Sequence, residues 1–136
     1  MNIDKFKHQH VEIYECINTL RRHALSGIVE NAREIARGVV SMSSKIKLHL
    51  SVEDTVLYPA LRSSSSTSMA SMGNQYQEDM KMIAKRYDEF ARKWNTASNV
   101  ARDPDGFRAE ANIVLKKLHA RIRQEDLNFY PAIEGI

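Results

Sequence analysis

Apolar residues recur three and four positions apart along four stretches of the chain, the spacing of amphipathic helices. The first runs from Asp4 to Leu25, with His10, Ile13, Tyr14, Ile17 and Leu20 on one face, and Ser26-Gly27 ends it. The second runs from Ile28 to Ala60, its stripe passing through Ile35, Val39, Met42, Ile46, His49, Glu53 and Leu57. Gly38 falls inside it and should weaken it slightly. The serine-rich run from Ser63 to Ser68 reads as a flexible loop. A third helix is expected from Ser71 to Ala97, with Tyr76, Met80, Ile83, Tyr87, Phe90 and Trp94 on one face. Asn99 to Asp103 forms the last connection. Asp103-Pro104 then supplies a capping oxygen and a proline suited to a first helical turn, opening a helix from Pro104 to Tyr130. The expected fold is all-α: one domain over 1–136, an up-down-up-down antiparallel four-helix bundle.

Composition agrees with this reading and narrows the function. Hydrophobic residues make up 43% of the 136 positions, enough for one core, and Gly and Pro are scarce. Twenty basic residues against 17 acidic ones give a net charge of +3 without a dense basic run, which argues against nucleic-acid binding. No stretch approaches about 18 apolar residues, so no membrane span is expected. The start of the chain is polar and unlike a signal peptide. The lone Cys16 allows no internal disulfide. These features point to a soluble cytoplasmic protein.

The candidate chemistry lies where polar residues interrupt the apolar stripes. Glu53-Asp54-Thr55-Val56-Leu57-Tyr58-Pro59-Ala60 is matched by Glu125-Asp126-Leu127-Asn128-Phe129-Tyr130-Pro131-Ala132, five identities in place. His49 stands one turn before Glu53, so both side chains can reach one ion. A carboxylate on an inward face is costly unless paired or bound to metal. His10 shares its face with Ile13 and Ile17, and Glu125 shares its face with Leu118, Ile122 and Phe129. Each is a metal ligand or a hydrogen-bonded core group. In the second copy the place of His49 is taken by Arg121, and the nearby histidine is His119, six before Glu125 and about 240° around an ideal helix. A local bulge would ease its approach. The third helix offers only Asp79, at the edge of its apolar face, as an inward acidic donor or a solvated flank residue. Tyr58 and Tyr130 could bond to ligands, but Tyr-Pro reads first as a helix stop.

His10, the His49-Leu50-Ser51-Val52-Glu53 motif running into Leu57-Tyr58-Pro59, and His119 through Tyr130-Pro131 together resemble the hemerythrin-like, or HHE cation-binding, family. The likeness covers nearly the whole chain. It implies a four-helix bundle holding two non-haem irons near its middle, with manganese or zinc as alternatives. It also implies oxygen binding, iron storage or sensing, or the handling of nitric oxide or peroxide. The ligand set carried over is His10, His49, Glu53, His119 and Glu125, with Asp79 added from the third helix. The histidine pair that oxygen carriers place on that helix is absent, Tyr76 and Met80 holding the positions.

The leading expectation is therefore a di-iron protein that senses or protects against oxygen, nitric oxide or redox stress by taking a small diatomic or peroxide ligand. The alternative is a metal-free helical bundle that acts as an interaction module, through its surface or a homodimer interface. An oxidase-like enzyme on the same metals is a third reading, for which the sequence shows no substrate pocket.

Overall fold

The computed structural model describes residues 2–135, and these are almost wholly helical, without a strand. Helix α1 spans Asp4–Leu25 and α2 spans Ala32–Val52. A π turn, π1, over Glu53–Leu57 joins α2 to the short α3 at Tyr58–Arg62. Next come α4 at Thr67–Lys93, a short α5 at Ala97–Arg102 and α6 at Pro104–Gln124. A second π turn, π2, over Glu125–Phe129 leads into α7 at Tyr130–Glu134.

Several boundaries differ from expectation for local reasons. Gly27 turns the chain with a φ of 123°, and α2 begins only at Ala32, after a run of turns. The serine run is not simply a loop: the Ser66 hydroxyl accepts the Met69 amide at 3.3 Å and starts α4 at Thr67. Thr96 likewise accepts the Asn99 amide at 3.2 Å, making a helix where a connection was expected. Asp103 caps α6 as expected, accepting from the Gly106 amide at 3.0 Å.

The Tyr-Pro pairs do not end their helices. The amide of Tyr58 donates to the Glu53 carbonyl, and that of Tyr130 to the Glu125 carbonyl, each closing a wide turn. The proline then lies in the first turn of the following α segment, a position helices tolerate. Both π turns therefore fall on the repeated string.

α1 packs on α2 and α6, and α4 packs on the same two helices. Gly38 has its explanation here: a Cβ would meet Leu20 Cδ2 at 2.9 Å, so its absence lets α1 and α2 approach closely. Two apolar clusters fill the interior. One joins Ile13, Ile46, Met80 and Ile122, among others; the second joins Phe6, Leu57, Tyr58, Phe129 and Tyr130. Three helical stretches pass from one cluster to the other through a buried polar position: His10 between Phe6 and Ile13, His49 and Glu53 between Ile46 and Leu57, Glu125 between Ile122 and Phe129. The interior thus contains a polar layer sealed on both sides by hydrocarbon.

Candidate metal centre

Four polar side chains, His10, His49, Glu53 and Glu125, are at most 1% exposed. The Nε2 atoms of His10 and His49 lie 3.0 Å apart. Glu125 Oε1 lies 3.0 Å from His10 Nε2 and 3.8 Å from His49 Nε2, while Glu53 Oε1 lies 3.4 Å from His49 Nε2. The ligating atoms of His10, His49 and Glu125 all fall within 4.8 Å of one another.

The outer edges of both imidazoles are already used. His10 Nδ1–H donates to Asp126 Oδ1 at 2.7 Å, and His49 Nδ1–H donates to Gln9 Oε1 at 2.7 Å. A neutral imidazole has one N–H, so each inward Nε2 then presents a bare lone pair. The two nitrogens and the two glutamate oxygens face one another as acceptors. Among the described residues Glu53 Oε1 and Glu125 Oε1 have no hydrogen-bond donor. Protons or a cation must lie among these atoms, because bare acceptors repel at such separations.

Electrostatics describe the proton alternative. Burial works against charge on His49, but Glu125 and Glu53 overcome it and push its pKa up to about 9. Burial also works to raise Glu125, yet contacts with His10 and His49, followed by the charge of Arg121, hold it at about 2. Burial and then the Glu125 charge raise Glu53 above the ordinary carboxylate range. Tyr130 donates to Glu53 Oε2 at 3.1 Å, its oxygen 3.2 Å from His10 Nε2, and burial raises its pKa further. It stays a neutral donor.

The spacing also suits a cation. Two ligand atoms each about 2.1 Å from one ion stand about 3.0 Å apart at a right angle and about 3.4 Å apart in a tetrahedron. The shorter separations match these edges. Two imidazole nitrogens with a carboxylate oxygen suit iron, manganese or zinc, and the orphaned oxygens are the donors such an ion would satisfy.

The second copy of the string is finished differently. Arg121, 5% exposed, directs Nε to Glu125 Oε2 at 3.2 Å. Its Nη2 donates to the Tyr76 carbonyl, and its guanidinium carbon lies 4.5 Å from the Tyr76 ring centroid. Tyr76 in turn stacks on Phe129 at 4.0 Å.

His10, His49, Glu53 and Glu125 are thus brought together as the sequence suggested; Asp79 and His119 are not. Asp79 is exposed rather than inward and accepts a hydrogen bond from Gln75 at 3.0 Å, because its place on α4 lies outside the apolar face. His119 is half-buried, its ring edge-on to Tyr14 at 5.0 Å. The bulge expected to bring it closer comes after it, at Glu125, and leaves the 240° offset in place. Tyr14 donates to Asp126 Oδ2 at 3.4 Å, so His119 is separated from the centre by two further side chains. Sequence reasoning missed Asp126 and Gln9, which fix the two imidazoles. Asp126 lay within the repeated Glu-Asp pair and could have been suspected; Gln9 had no signal beyond adjacency to His10.

The family model described as the hemerythrin HHE cation binding domain matches residues 1–133. The chain therefore belongs to the hemerythrin HHE cation binding family. No curated protein and no solved structure matches it.

Proposed function

We propose that this member of a cation-binding family holds a divalent transition-metal ion, iron foremost, in an up-down-up-down bundle. In this reading it senses, or protects against, oxygen, nitric oxide or redox stress in the reducing cytoplasm. One observation carries the reading: two buried imidazoles, fixed through Nδ1 by Asp126 and Gln9, face bare glutamate oxygens at 3.0–3.8 Å. His10 Nε2, His49 Nε2 and Glu125 Oε1 would hold the ion, with Glu53 Oε1 at its edge. Because these donors face one point, a single ion is preferred here to the two that the resemblance implied.

A bound ion would supply Lewis acidity, one-electron chemistry and a coordination position for a small molecule. The protein supplies the rest. Asp126, with its side chain 31% exposed, keeps the His10 proton on Nδ1 and connects the buried ring to the solvent edge. Gln9 does the same for His49 with a neutral acceptor. Tyr130 holds Glu53 Oε2 and presents its hydroxyl to the interior. The apolar clusters on either side exclude water, so the ligand must be small, of diatomic or peroxide size. That seal favours binding and sensing over turnover of an organic substrate.

The test is the metal content of protein purified after loading with Fe(II). His49→Ala or Glu53→Ala should remove most of the bound iron. Unchanged iron in a folded His49→Ala protein would sink the assignment of these ligands, and wild type without stoichiometric iron would favour the metal-free interaction module.

A further inference from the structure

The internal repeat makes room for two cations, and one is already part of the chain. His49 and Arg121 hold equivalent places, each four residues before its glutamate. His49 Nε2 lies 3.4 Å from Glu53 Oε1, and Arg121 Nε lies 3.2 Å from Glu125 Oε2. An imidazole can lose its proton and ligate a metal; a guanidinium stays charged and has no lone pair to offer. Both oxygens of Glu125 are therefore assigned: Oε2 to the guanidinium and Oε1 to the two imidazoles. One carboxylate bridges a fixed cation and a place for an exchangeable one.

The surroundings of Arg121 are built for a permanent charge. The Tyr76 carbonyl accepts from its Nη2, and the Tyr76 ring, braced by Phe129, covers its face. Charge balance agrees. Glu53, Glu125 and Asp126 bring three negative charges to the neutral histidines, and Arg121 returns one positive charge. One divalent ion completes neutrality, whereas a second would leave two uncompensated positive charges among buried groups, a costly arrangement.

Resting on the metal-binding reading above, we infer that Arg121 is the resident second cation of this site. It limits the chain to one exchangeable metal ion and restrains the affinity for that ion by charge repulsion.

The inference is tested by anaerobic titration of wild type, Arg121→Met and Arg121→Lys with Fe(II). Iron per chain is read by elemental analysis, affinity by competition with a chromophoric chelator, and folding by circular dichroism. Wild type should bind one ion. Arg121→Lys, retaining the charge, should bind one with affinity within a few-fold of wild type. Arg121→Met removes the repulsion and frees Glu125 Oε2, so it should bind iron about tenfold or more tightly. A merely structural arginine would give the opposite sign, with weaker binding in a loosened site. Two ions in wild type would overturn the inference and leave the metal-binding reading intact. No ion in wild type would overturn that reading itself. If Arg121→Met fails to fold, the wild-type count and the Lys variant still decide: two ions in either one overturn the inference.

Discussion

One turn before Glu53 stands His49; one turn before Glu125 stands Arg121. The backbones of these two regions are alike, each with an α-helix, a π turn opening on the glutamate and a Tyr-Pro that resumes the helix. The side chains diverge. In the second region Asp126 holds His10 at 2.7 Å, whereas its counterpart Asp54 is exposed and accepts from Gln77 at 2.9 Å. Tyr130 donates to Glu53, whereas its counterpart Tyr58 is a buried hydroxyl without a partner among the described residues. The repeated string fixes where groups project; the residue one turn earlier decides whether the glutamate faces an imidazole or a guanidinium.

Removing each glutamate should expose this difference most strongly. Glu125→Ala leaves Arg121 a buried, unpaired charge, so metal-free protein should lose about 3–5 kcal/mol in urea unfolding. Glu53→Ala removes a carboxyl raised toward its neutral form and leaves the Tyr130 hydroxyl only His10 Nε2, a loss of about 1–3 kcal/mol. Equal losses would mean that the halves are electrostatically alike.

A pH series separates proton from metal. His49, raised to about 9 from 6.5, adds stability that is full below about pH 6.5 and is lost as pH rises through about 9. Glu53, also raised, has the same sign. Chelator-treated protein should therefore weaken by on the order of 3 kcal/mol from about pH 6 to about pH 10. At the acid end Glu125, lowered to about 2, adds stability present above about pH 4.5 and lost as pH falls toward 2. Loaded protein should show a much flatter alkaline limb, because the ion takes the place of the His49 proton. An alkaline limb equally steep with and without metal would contradict that replacement.

The two imidazole anchors should differ less. Asp126→Ala should lower iron affinity by about 10–100-fold, as expected for a lost carboxylate partner to a ligating histidine. Gln9→Ala, removing a neutral acceptor, should fall at the lower end of that range. Chelator competition measures both, and a larger loss at Gln9 would reverse the assigned roles. Smallest of all, Asp79→Ala should leave iron content unchanged and stability within about 0.5 kcal/mol, as suits an exposed residue on α4. Loss of iron in that variant would restore Asp79 to the ligand set.

Much of this was legible in the sequence because burial imposes periodicity. His10, His49, Glu53 and Glu125 stood out as polar residues on apolar stripes, and their burial follows from those stripes. Asp79 stayed open between an inward donor and a solvated flank residue because the edge of a stripe does not say on which side of the boundary a side chain falls. The π turns were hidden behind Tyr-Pro, which local rules read as a stop although a wide turn accommodates the proline. The partnership of Asp126 with His10 spans 116 positions, beyond the reach of any local pattern. Arg121 was visible as a break in the repeat, but only its contacts with Glu125 and Tyr76 give it a role.

The most direct test of the centre is anomalous diffraction at the iron edge from crystals of Fe(II)-loaded wild-type protein. The account predicts one peak, about 2.1 Å from Nε2 of His10, Nε2 of His49 and an oxygen of Glu125. A peak at Asp79 or His119, two peaks in the polar layer, or none would contradict it.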